Sequence, residues 1–167
     1  MKRWALPILL AAWLPQAHAA SGLCQTDETV FFSCQTRSKK WISLCGTLPA
    51  SLQYRFGKPG KVELQYPENG ADGKTSFFYR HYFRYQFDYT QISFKNKDTD
   101  YTLSYGFNGE NDPKKPDLSG GVDVTAMGQP TDIQCTGKIT QSLYKLGEFL
   151  GCESQDGFKP GDQCQDY

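Results

Sequence analysis

From Thr29 to Phe107 the chain alternates apolar and polar residues in short runs, punctuated by Gly, Pro, Asn and Asp. Period-two alternation between turn residues is the pattern of β-strands joined by hairpins. Thr29 to Cys34 and Trp41 to Cys45 read as strands around the basic turn Arg37-Ser38-Lys39-Lys40. Ser51 to Phe56 places Leu52, Tyr54 and Phe56 on one face, and Lys61 to Tyr66 does the same with Val62, Leu64 and Tyr66. Gly57-Lys58-Pro59-Gly60 between them is a turn by composition, making this pair the clearest hairpin of the chain. Pro67 to Lys74 is a further turn region with Asn69-Gly70 and Asp72-Gly73.

Phe77 to Phe94 holds nine Phe and Tyr residues in eighteen positions. Tyr79, His81, Phe83, Tyr85, Phe87 and Tyr89 share one parity; Arg80, Tyr82, Arg84, Gln86 and Asp88 share the other. This alternation predicts one long strand with an aromatic core face, and the later shift of parity to Ile92 and Phe94 predicts a bulge near Thr90-Gln91. After the turn Asn96 to Asp100, Tyr101, Leu103, Tyr105 and Phe107 line a return strand. Asn108 to Gly121 reads as a polar fourteen-residue loop, followed by short strands at Gly121 to Thr125 and Ile133 to Cys135. Only Thr140 to Leu150 carries a helical stripe, formed by Leu143, Leu146, Phe149 and Leu150. The fold class expected is mainly β: a single-domain antiparallel sandwich or open barrel with one short C-terminal helix.

The first residues change the setting. Lys2 and Arg3, the apolar run Trp4 to Leu14 and the small-residue ending Ala17-His18-Ala19 form a secretory signal, with cleavage expected after Ala19. The domain plan is a signal peptide at 1–19 and one β-rich domain at 20–167, in the periplasm or secreted, with no stable membrane anchor. Cys24, Cys34, Cys45, Cys135, Cys152 and Cys164 all follow the cleavage point. An even number of cysteines in an exported chain reads as a disulfide framework, with at least one long-range bridge expected between the two ends and the pairing left open. No CxxC spacing suggests a metal site. The charges balance at 18 basic and 18 acidic residues, which disfavours a nucleic-acid partner.

Chemical motifs are sparse. The chain has no HExxH, GxSxG, P-loop or GxGxxG pattern, and no cofactor is expected. His81 is the sole histidine after the signal and falls on the aromatic parity, where a core or edge role is the simpler reading. Glu63, Glu68, Asp72 and Asp88 are the first carboxylates to consider for a hydrolytic pair, although each also suits a solvated strand or turn. Arg80, Tyr82 and Arg84 form the most suggestive outward face, because two guanidinium groups flanking a ring can grip a carboxylate, a phosphate or a sugar. The loop supplies Glu110, Asp112, Lys114, Lys115 and Asp117, whose mixed charge suits a protein partner and whose prolines limit the cost of ordering.

Residues 31–67 also carry a likeness. The run Cys34, Lys-Lys-Trp-Ile-Ser-Leu-Cys45, Leu-Gln-Tyr-Arg-Phe-Gly57 and Val-Glu-Leu-Gln-Tyr-Pro67 resembles a group of small exported bacterial proteins. The group includes periplasmic immunity proteins that neutralise phospholipase effectors of type VI secretion. The resemblance implies a non-catalytic protein that occludes a toxic enzyme, and it transfers no functional residue. A carbohydrate- or lipid-processing enzyme, or a ligand-binding module using the Arg80, Tyr82 and Arg84 face, is the alternative.

Overall fold

The computed structural model describes residues 22–154 and 157–158. The signal segment and Cys164 lie outside them. Eleven strands follow in chain order: β1 (Thr29–Thr36), β2 (Trp41–Thr47), β3 (Ser51–Lys58), β4 (Lys61–Tyr66), β5 (Phe78–Arg84), β6 (Phe87–Asn96), β7 (Thr99–Asn108), β8 (Asp117–Ala126), β9 (Gln129–Gln141), β10 (Gly151–Ser154) and β11 (Gly157–Phe158). One short helix, α1 (Gly73–Ser76), and two 3-10 turns, Gly70–Asp72 and Leu143–Leu146, complete the described elements. The strands form one mixed sheet in the order β11-β10-β5-β6-β7-β8-β9-β1-β2-β3-β4. Every neighbouring pair is antiparallel except β10 and β5.

β9 is the corner of this sheet. Its first half pairs with β8 and its second half with β1, and the β1 register is broken between Ser33 and Gln35. Gly137, at φ +78°, sits in the irregular stretch, where a side chain would be strained. The sheet therefore curls, and its two wings meet through aromatic rings. Tyr54 of β3 lies 5.0 Å from Phe94 of β6 between centroids. Tyr66 of β4 stacks on Phe94 at 4.8 Å, and Phe94 stacks on Tyr101 of β7 at 4.7 Å. The result is a mainly β half-barrel. Phe32, Ile42, Leu44, Leu52, Ile92 and Leu103 fill its core.

Two disulfides fix the β1 side. Cys34 of β1 joins Cys135 of β9 across 101 residues, the long-range bridge the cysteine pattern predicts. Cys24 joins Cys45 of β2. The latter holds the N-terminal stretch against the outer face of β1–β3, where the Leu23 N–H donates to Ser43 Oγ at 3.1 Å. Cys152 is disulfide-bonded as well.

Five sequence expectations change. The long strand predicted from Tyr79 to Tyr89 is a hairpin: β5 turns into β6 at Tyr85-Gln86, with Arg84 opposite Phe87. The register from Arg84 back to Phe78 is unbroken, so the bulge at Thr90-Gln91 is absent, and the turn itself resets the parity. The loop Asn108 to Gly121 shortens, because Asn108 already pairs with Asp117 and β8 starts there. The short strand at Ile133 to Cys135 is the middle of the thirteen-residue β9. The C-terminal helix is a 3-10 turn at Leu143–Leu146, since Thr140 and Gln141 pair with β1. Its stripe still serves: Leu143, Leu146 and Leu150 are buried.

Candidate binding site at the open end of the sheet

Antiparallel register carries residues across β5–β8 in rows, because directly opposed side chains share a face. On the inner face the row Tyr79, Ile92, Leu103 and Val122 is buried. The next row is His81, Thr90, Tyr105 and Gly120, and the last is Phe83, Asp88, Phe107 and Leu118. That last row is only partly covered by the described residues. Phe83 is 57% exposed and Leu118 56%, joined by Tyr85 at 83% on the hairpin tip and Tyr144 at 65% beyond β9. The inner face thus changes from sealed core to an aromatic mouth within two rows.

The mouth holds a cleft of about 360 Å³. Phe83, Phe107, Tyr105 and Tyr144 supply aromatic wall, and His81, Asp88, Thr90 and Gln141 supply the polar groups. His81 Nε2 lies 3.2 Å from Asp88 Oδ1. Burial pushes the Tyr105 phenol up; the nearby Asp88 charge adds to this, while a hydrogen bond with Gln141 opposes it. Among the described residues, no lysine or arginine lines the cleft.

The outer face of the same strands carries the residues singled out in the sequence. Arg80, Tyr82 and Arg84 are exposed there. Arg84 donates to both Glu110 carboxylate oxygens, at 2.5 and 2.9 Å, and its guanidinium carbon sits 4.8 Å from the Phe87 ring centroid. Glu110, principally through these hydrogen bonds, is held below its usual pKa. Arg84 is therefore a strut between the β5–β6 tip and the β7–β8 loop. Tyr82 packs edge-on against Phe87 at 6.0 Å. Gly109 N–H donates to Gln86 O at 2.8 Å, so the tip and the loop are bonded twice.

The loop itself is ordered from within. Asn108 Oδ1 accepts from the Glu110 N–H and Asp112 Oδ1 from the Lys114 N–H, both at 3.0 Å. These are Asx-type turns, which local carboxylates and amides favour. Glu110, Asp112, Lys114 and Lys115 are exposed in this loop, whereas Asp117 belongs to β8 on the same outer row as Arg84. Arg84 and the polar loop thus meet at one end of the sheet, while Arg80 sits four residues back along β5, opposite Gln91.

The proposed carboxylates do not converge. Glu63 sits on edge strand β4 and binds Lys40 Nζ at 2.6 Å. Asp72 lies in the first 3-10 turn, Glu68 just after β4, and only Asp88 lines the cleft. Cys24, Glu28 and Cys45 approach one another as ligands of a metal would, but the two sulfurs form a disulfide and Glu28 binds Arg55. Tyr105, Phe107, Gln141 and Tyr144 are site residues that the sequence does not single out: cross-strand register brings Tyr105 and Phe107 beside Phe83 and Asp88, and the curl of the sheet brings Gln141 and Tyr144 to the same cleft. Comparison of the chain with protein families, curated proteins and solved structures finds no match.

Proposed function

We propose that this protein is an exported, non-catalytic binding protein that works by occluding a partner enzyme. The observation that carries the reading is the aromatic mouth: four large apolar side chains exposed together, beside a loop braced by Arg84, Glu110 and Gly109. Interfaces favour such aromatic residues at their centre, surrounded by a polar rim. Lys114, Lys115 and Asp112 are that rim here. A braced loop has little freedom left to lose on binding, which favours affinity. The likeness of residues 31–67 to periplasmic immunity proteins makes the partner a toxic effector of lipase type, delivered by type VI secretion. The site is then periplasmic, and the disulfides suit an oxidising compartment.

The test is affinity capture with residues 20–167 as bait, against native periplasm and lysates of neighbouring strains. The expected result is one enzyme recovered in stoichiometric amount and inhibited on mixing. Phe83→Ala with Tyr144→Ala should weaken it by at least about tenfold. Lys114→Glu with Lys115→Glu should slow association and change its salt dependence. Capture of no enzyme, with sugar or lipid retained instead, overturns the reading in favour of a ligand-binding module or a carbohydrate- or lipid-processing enzyme. The His81–Asp88 pair inside a concave cleft is what gives that alternative its weight.

A further inference from the structure

Asp88 is out of place by the ordinary rules of sheet composition. It sits on β6, a strand hydrogen-bonded on both sides, and Asp is poorly suited to such positions. Its two cross-strand neighbours on the inner face are phenyl rings, Phe83 on β5 and Phe107 on β7. Its side chain is 39% exposed to the cleft mouth. Neither phenyl ring can balance its charge or donate a conventional hydrogen bond to it. Local choices that oppose their surroundings mark function more often than folding.

We infer that the cleft is a binding site for an organic cation, an ammonium or guanidinium group held between the Asp88 carboxylate and the faces of Phe83, Phe107 and Tyr105. The pieces match that chemistry. A cation placed over aromatic faces is attracted by their quadrupoles, and a carboxylate beside them adds a direct charge partner. His81 engages Oδ1, and Oδ2 carries no hydrogen bond among the described residues. Among the described residues no lysine or arginine lines the cleft itself. Tyr144 contributes less, since Lys145 Nζ already lies 5.9 Å from its ring centroid. A volume of about 360 Å³ admits a trimethylammonium group or the end of a lysine or arginine side chain.

The inference rests on the open end being a binding surface, yet its test needs no partner enzyme. Residues 20–167 are titrated with choline and, separately, with N-acetyl-lysine amide, with the aromatic and methyl NMR signals as readout. The control is 3,3-dimethyl-1-butanol, which has the shape of choline with carbon in place of nitrogen. The expected result is saturable shifts of the Phe83, Tyr105 and Phe107 signals for at least one cation, with the neutral alcohol at least about fivefold weaker. The tighter of the two cations assigns the source, a free quaternary ammonium or a protein side chain. Asp88→Asn should reduce the preference for charge, leaving only the part the rings supply, while keeping signal dispersion. If that variant unfolds, Phe107→Leu should weaken the cation more than the alcohol. Equal binding of alcohol and cation, or no saturable shift, overturns the inference. Failure of enzyme capture leaves this titration unaffected, so the two outcomes are separable.

Discussion

Arg55 of β3 is buried, and all five of its N–H donors are used. Nη1 donates to Glu28 Oε2 at 2.5 Å and Leu23 O at 3.2 Å. Nη2 donates to Glu28 Oε1 and Gln53 Oε1, both at 2.7 Å, and Nε to Gln65 Oε1 at 3.3 Å. Gln53 in turn donates to Pro67 O at 2.8 Å. A guanidinium can be buried only when satisfied in this way. The network ties the stretch before β1 to the sheet, so Glu28 is a structural residue although it lies outside every strand. Burial alone would raise its pKa, but the Arg55 hydrogen bonds, the Gln25 N–H and the Arg55 charge outweigh this and hold it below its usual 4.5. A lowered carboxyl pKa stabilises the fold above the unfolded value and loses that contribution as pH falls through the folded value. Glu28→Ala, which leaves Arg55 buried and unpaired, should cost about 3–5 kcal/mol at pH 7 by denaturant titration. The gap between variant and native protein should narrow below pH 4.5. A gap independent of pH would mean that Glu28 contributes packing rather than charge.

At the scale of the element, the hairpin turns hold unexpected residues. Lys39, Gln86, Lys97 and Met127 have φ between 50° and 61°, a region that favours glycine. Lys97-Asp98 is a two-residue turn between Asn96 and Thr99. Lys97→Gly should therefore raise stability by about 0.5–1 kcal/mol, read as a higher denaturant midpoint with unchanged slope. A lower midpoint would show that the Lys97 side chain contributes more than its backbone costs. The same chemistry explains what the sequence hides. The β3–β4 hairpin was legible because Pro59-Gly60 announces its turn. The β5–β6 hairpin was not, because Tyr85-Gln86 carries no turn signal and both arms are aromatic. A strand unbroken at that turn would bury Phe83 and Tyr85 on a core face, but they are among the most exposed rings of the described residues. The Arg80, Tyr82 and Arg84 face was legible from parity, and the loop from its prolines. Their junction through Arg84 and Glu110, and the cleft behind them, depend on register and on the curl of the sheet, which no local pattern encodes.

At the largest scale the described residues form one curled sheet, sealed at one end and open at the other. Non-local pairing builds it: β9 closes onto β1, and Cys34–Cys135 fastens that closure across 101 residues. A bridge closing a loop of that length contributes about 4–5 kcal/mol by restricting the unfolded chain. The sealed end rests on the aromatic stack of Tyr66, Phe94 and Tyr101. The open end carries the exposed rings, the braced loop and the cleft, and so concentrates the recognisable chemistry in one region. That division predicts where a partner touches. The most direct test is amide hydrogen exchange on the bait alone and in complex with the captured enzyme. An interface at the open end slows exchange at residues 80–90 and 108–118 and leaves β2–β4 unchanged. Slowing centred on β2–β4, with the open end unaffected, would contradict it.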